Sequence, residues 1–133
     1  MGFLSLHFVD FQCGNNFVMA LTEDGRVFEW VGKGKPKLQE GFPKNTKITQ
    51  IAAGLWHRMA LTSCGKVYCW GTNKHGQVGN GTFEEQIGPK NIILPYVGIE
   101  SQQKIVTIAC GRCSSFAVGE NGNVRSFEFR GSN

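Results

Sequence analysis

The chain reads as an all-β protein on three observations. Eighteen glycines are dispersed along 133 residues, which calls for many tight turns between short strands. Asp24-Gly25 and Asn121-Gly122 stand between apolar runs, where such pairs signal hairpins. One pattern of residues occurs three times without a gap. With 41% hydrophobic and 18% charged side chains, the sequence also holds enough apolar material for a buried core, and is neither disordered nor collagen-like.

The three repeat cores run over residues 8–30, 48–70 and 105–127, inside a single region spanning 1–133. Gly14, Gly54 and Gly111 are each followed eleven positions later by Gly25, Gly65 and Gly122, and five positions further on by Trp30, Trp70 and Phe127. The first element of each unit precedes the first glycine. Phe8 and Phe11, Ile48 and Ile51, and Ile105 and Ile108 lie six and three positions before it, in runs short enough to be buried strands that the glycine ends. The second element is the apolar run Val18-Met19-Ala20-Leu21, Arg58-Met59-Ala60-Leu61 or Ser115-Phe116-Ala117-Val118. It leads into Glu-Asp-Gly, Ser-Cys-Gly or Glu-Asn-Gly, expected to be a tight turn with positive φ at both central residues. The third element alternates, Val27 and Glu29 against Phe28 and Trp30, Val67 and Cys69 against Tyr68 and Trp70.

Each unit is therefore a small antiparallel meander. Ala20, Ala60 and Ala117 fall at the same place in each, where a small side chain lets neighbouring sheets approach closely. Sheets that bury their faces only against their neighbours build a solenoid or a propeller, and short meanders ending in an aromatic favour a partial β-propeller.

The middle unit carries a specific resemblance. Ile51-Ala-Ala-Gly54-Leu-Trp-His57-Arg-Met-Ala-Leu61, then Gly65-Lys-Val-Tyr-Cys-Trp70-Gly71-Thr-Asn73-Lys-His-Gly76-Gln77-Val-Gly79-Asn-Gly81, resembles the regulator of chromosome condensation repeat almost position for position. The first unit has Phe17 where that family favours histidine, and lacks the Gly-Gln-x-Gly segment after Trp30. The third has Ser114 at the histidine place and Phe127 for tryptophan. The resemblance implies four-stranded blades, usually seven to a propeller. Three units form an open arc, either part of a longer propeller or completed by self-association.

Composition narrows the function. The net charge of +4 is modest, and Lys33, Lys35, Lys37, Lys44 and Lys47 against Glu40 account for all of it, so a basic face built to hold nucleic acid is not expected. Apolar runs of only a few residues predict no membrane span, and Met1–Leu6 is too short for a signal peptide, so a cytoplasmic or nuclear location is expected. Five cysteines in that setting read as reduced thiols.

Cofactor and metal sites are not expected either. Cys110-Gly-Arg-Cys113 has the spacing of half a zinc site, yet no second pair accompanies it, and Cys110 aligns with Cys13 and Ala53 as a small core residue. Lys33-Gly34-Lys35-Pro36-Lys37 lacks the order of a phosphate loop and reads as a solvated connection between blades, with contact to an acidic partner as the functional alternative. Gly76-Gln77-Val78-Gly79 has the wrong order for a dinucleotide loop. No nucleophile, base and orienting acid recur together, so an enzyme is not expected.

The remaining candidates are partner-binding residues: Trp56, His57 and Arg58 in the middle turn, and Lys33, Lys35 and Lys37 in the basic loop. Trp56 is the only large aromatic at its repeat position, its counterparts being Asn16 and Cys113. For His57 the resemblance implies either contact with a bound small GTPase or a hydrogen-bonding role inside the blade. Residues 82–104, with Phe83-Glu84-Glu85 and Pro95-Tyr96, are a second candidate surface. The sequence thus predicts a protein-interaction module. Guanine-nucleotide exchange on a Ras-like GTPase is the alternative that the resemblance implies, and a truncated product without independent activity is the third.

Overall fold

The computed structural model describes residues 6–72, 86–91 and 104–127. Among these, eleven strands form three antiparallel sheets, each running in sequence order. The first blade holds β1 (Phe8–Cys13), β2 (Phe17–Thr22), β3 (Val27–Val31) and β4 (Lys37–Leu38). The second holds β5 (Ile48–Ala53), β6 (His57–Thr62), β7 (Val67–Gly71) and β8 (Gln86–Asn91). The third holds β9 (Ile105–Cys110), β10 (Ser115–Gly119) and β11 (Val124–Phe127).

Each repeated glycine has a steric cause. A Cβ on Gly14 or Gly54 would fall onto the Phe17 or His57 ring three residues on, and one on Gly111 would lie 2.6 Å from Ser114 Oγ. The same turn is closed each time by a backbone bond, Gly14 N–H to Phe17 O, Gly54 N–H to His57 O and Gly111 N–H to Ser114 O, at 3.0, 2.9 and 2.9 Å. The second glycine of each unit lies in the left-handed region, at φ 90°, 86° and 87° for Gly25, Gly65 and Gly122.

The hairpin turns differ from expectation. Asp24 and Asn121 are not at positive φ; only the glycine is. Gly25 N–H closes onto Thr22 O at 3.0 Å and Thr22 N–H onto Arg26 O at 2.9 Å, the geometry of a three-residue loop whose last residue is left-handed. Thr22 Oγ1 replaces a lost ladder bond by accepting from Arg26 N–H at 2.9 Å, as Thr62 Oγ1 does from Lys66 N–H at 3.0 Å.

Two of the meanders gain a fourth strand. Lys37 and Leu38 pair with Glu29 and Phe28, so residues 33–37 turn back within the first blade instead of connecting two blades. β8 pairs with β7, which turns part of the segment after Thr82 into a regular blade element.

The blades pack face to face. Between the first and second lie Phe17, Met19, Leu21 and Val27 against Ile48, Ile51, Ala60, Tyr68 and Trp70. Between the second and third lie Met59, Leu61, Val67 and Cys69 against Ile105, Ile108 and Ala117. The three aligned alanines are fully buried, and Ala60 and Ala117 lie within the joints between blades, where close sheet approach requires a small side chain. Burial of β7 along its whole length follows from cover on both faces of the middle blade. Among the described residues the first blade has cover on one face only, and on the other face the expectation of a buried Phe8 and Phe11 is corrected. Phe11 is 53% exposed and Phe8 is half-buried beside Phe28, because no sheet among the described residues covers them.

Gly54→Ala should lower unfolding free energy by about 2–3 kcal/mol through displacement of the His57 ring. Gly88→Ala, where an added Cβ meets nothing within 4 Å, should stay within about 0.5 kcal/mol of the parent in a denaturant titration.

Candidate functional site

The turns after β1, β5 and β9 form one face, and a backbone ladder links them across blades. Asn15 N–H donates to Leu55 O at 2.8 Å, and Leu55 N–H donates to Arg112 O at 2.9 Å. These bonds hold the turns in fixed relation, a rigidity that loops of such length do not have alone.

Trp56, next to Leu55 of this ladder, is the large aromatic turned outward beside it. Its side chain is 39% exposed while its backbone is pinned, the carbonyl accepting from Thr72 N–H at 3.1 Å and Arg58 Nη1 at 3.2 Å. Gly71, at φ 109°, permits that contact, since a Cβ there would sit 2.6 Å from the Trp56 carbonyl oxygen.

Arg58 faces the other way. Its guanidinium lies 3.7 Å from the centroid of the Phe17 ring and grips Glu29 with two bonds, Nε to Oε1 at 3.1 Å and Nη2 to Oε2 at 2.7 Å. Both side chains are only 17% exposed, so the pair clamps the second blade to the first.

His57 is fully buried. Nε2 lies 3.1 Å from Ser114 O. A carbonyl can only accept, so Nε2 carries the proton and the imidazole ties the second blade to the third. Burial chiefly lowers its pKa from 6.5 to about 4; the Ser114 bond opposes this and the Arg58 charge adds to it. Of the three adjacent candidates, then, Trp56 alone is presented outward. A partner contact by His57 would need an accessible atom, which this packing does not leave it.

Lys33, Lys35 and Lys37 are all exposed. Lys35 and Lys37 join Glu29, Trp30, Val31, Gly34, Leu38 and Gln39 around a cleft of about 390 Å³. Glu29 belongs both to this cleft and to the Arg58 clamp, so a continuous run of contacts leads from the Trp56 turn to the basic loop.

Cys110 is half-buried and packs on the cluster containing Cys69, and burial pushes its thiol up to about 12 and that of Cys69 well above the usual range. Such thiols are poor nucleophiles and poor metal ligands at neutral pH. Among the described residues no three His, Cys, Asp or Glu side chains are grouped to hold a metal, and no helix is long and apolar enough to cross a membrane. Gly76, Gln77 and Gly79, residues 83–85 and the Pro95-Tyr96 pair lie outside the described residues.

Sequence reasoning missed the Asn15–Leu55–Arg112 ladder, the Arg58–Glu29 clamp and a third link. Gln50 accepts from Ile108 N–H at 3.0 Å through Oε1 and donates to Ile108 O at 3.2 Å through Nε2, joining β5 to β9 as an extra strand edge would. Only the arginine and the acid left a trace in the sequence, and their separation of 29 positions gave no reason to pair them.

Antiparallel sheets packed face to face, with fixed turns along one rim, define an arc of a repeat β-propeller. Models of the regulator of chromosome condensation (RCC1) repeat match residues 64–118 and 48–77, together more than half of the chain. The chain belongs to that family. It is 39% identical over 120 residues to the human E3 ubiquitin-protein ligase HERC2, covering 80% of this chain and 2% of HERC2. It is 35% identical over 125 residues to the mitochondrial RCC1 domain-containing protein RUG3 of Arabidopsis thaliana, covering 85% of this chain and 27% of RUG3. The structure of yeast RCC1 (Prp20) bound to Kap60 superposes with a TM-score of 0.74 at 25% identity, over 92% of this chain and 32% of Prp20. The chain thus spans about a third or less of each of these relatives.

The buried imidazole makes stability depend on pH in a defined direction. Its folded pKa lies below the unfolded value, so its contribution is complete above pH 6.5 and is lost as pH falls toward 4, reaching about 3 kcal/mol. His57→Phe, which installs the residue of the first blade, should flatten that part of the curve. Thermal unfolding of both proteins from pH 7 to 4 measures the difference.

Proposed function

We propose that this arc is a protein-interaction module whose partner docks on the turn face, with Trp56 as the apolar anchor and Lys33, Lys35 and Lys37 as flanking cations. The observation that carries the reading is an exposed tryptophan on an immobilised backbone. Such a side chain gives large contact area with little ordering cost on binding, which is why tryptophan dominates binding hot spots. His57 and Arg58 act from behind it, fixing the turn between the second blade and its neighbours. Membership of a repeat family whose relative Prp20 is solved with Kap60, and described with its binding to Gsp1p and histones, supports protein docking as the shared activity. The ligase activity named for HERC2 belongs to a protein of which this chain matches a small fraction.

Side-by-side affinity capture with the parent and Trp56→Ala should show affinity for partners reduced about thirtyfold, the effect of a hot spot worth ~2 kcal/mol. Charge reversal at Lys33, Lys35 and Lys37 should weaken capture in low salt more than in high salt. Partners retained by both variants would place docking on another surface. Faster release of labelled GDP from a small GTPase, at catalytic amounts of this chain, would narrow the reading to the nucleotide exchange that the resemblance implies.

A further inference from the structure

The two interior interfaces are built from the same repeat positions, and these positions can be read at the ends of the arc. One face of each blade presents the residues five, seven and thirteen places after the first glycine: Met19, Leu21 and Val27, then Met59, Leu61 and Val67. The opposite face presents those six and three places before it and six after: Ile48, Ile51 and Ala60, then Ile105, Ile108 and Ala117. Two half-interfaces have no covering blade among the described residues. On the third blade it is Phe116, Val118 and Val124; on the first it is Phe8, Phe11 and Ala20. Val124 is 57% exposed and Phe11 53%, although both stand where interior blades are buried.

Polar groups match in the same way. At the interior joints Ile48 N–H donates to Gly25 O at 3.0 Å and Ile105 N–H to Gly65 O at 3.1 Å. Lys47 and Lys104 of the following blade close over Gly25 and Gly65. Gly122 has the same left-handed backbone, yet a Cβ placed on it meets nothing within 4 Å. The residue at the position of Lys47 and Lys104 in the first blade is His7, whose carbonyl accepts from Glu23 N–H at 2.8 Å, as that of Lys47 does from Ser63 N–H at 2.9 Å. The end faces thus carry the two halves of one joint that the chain already makes twice, since Phe8 stands where Ile48 and Ile105 donate and Gly122 stands where Gly25 and Gly65 accept.

We propose that a second copy of this chain joins the arc head to tail, the Phe116, Val118 and Val124 face of one copy seating on the Phe8, Phe11 and Ala20 face of the next. Such a contact uses different patches on the two partners, so it either closes into a ring or continues. Removal from water of the exposed Phe11 and Val124, and of the half-buried Phe8, Phe116 and Val118, supplies the driving force.

The test uses two single substitutions at exposed positions, Phe11→Asp and Val124→Asp, with circular dichroism to confirm that each retains its strands. Light scattering on the parent chain should give a mass that rises above the monomer with concentration. Each variant alone has one blocked face in every copy and should stay monomeric. Mixed in equal amounts they should give a dimer and nothing larger, because the intact third-blade face of Phe11→Asp meets the intact first-blade face of Val124→Asp. A parent that is monomeric at all concentrations overturns the proposal and leaves the faces to blades other than its own. So does association of either variant alone, or a mixture that stays monomeric.

Discussion

A sheet with two apolar faces needs a neighbour on each, and the rest of this structure depends on that requirement. The middle blade meets it. Its β6 and β7 carry Met59, Leu61, Val67 and Cys69 toward one neighbour and Ala60, Tyr68 and Trp70 toward the other, and every residue of β7 is buried. Each large apolar side chain moved from water into these interfaces contributes about 1.5–3 kcal/mol, so joints between blades and not hydrogen bonds within them decide whether the arc is stable. Ala60 and Ala117 set the spacing at the two joints, since a larger residue there would force the sheets apart.

Polar links then fix what burial leaves free. Apolar packing tolerates sliding, whereas a hydrogen bond does not. Gln50 ties the first strands of the second and third blades, the Asn15–Leu55–Arg112 ladder ties the turns, and Arg58 and His57 reach in opposite directions to the first and third blades. The outcome is a turn whose neighbours on both sides hold it still. Trp56 is rigid because adjacent residues are spent on the joints, and the geometry of the candidate docking face is therefore a by-product of blade packing. A neutral imidazole suits this place, since a charged one would have to be buried beside Arg58.

Much of this was legible in the sequence, and what was legible has a local cause. The glycine spacing could be read because each glycine is dictated by a residue three positions away or by its own left-handed turn. The aligned alanines and the core strands of the second and third units followed from the same alignment. What escaped depends on neighbours. Phe11 looks like a core residue and is one by position, but burial belongs to the pair of faces and not to the residue. β4 is only Lys37 and Leu38, too short to show a period of two, and its existence rests on the edge that β3 offers. The ladder between turns uses backbone groups, which carry no sequence signature. Trp56 stood out as a singular aromatic, but its separation from His57 and Arg58 in role required knowing which of the three turned inward.

Amide hydrogen exchange, measured at the lowest workable concentration, tests the dependence of each blade on its neighbours most directly. Exchange reports local opening, and opening is hardest where both faces are covered. Exchange should be slowest in β5, β6 and β7 together with the Leu55 amide, faster in β2 and β10, and fastest in β4. Equal protection in all three blades, or greatest protection in the first or third, would contradict that dependence.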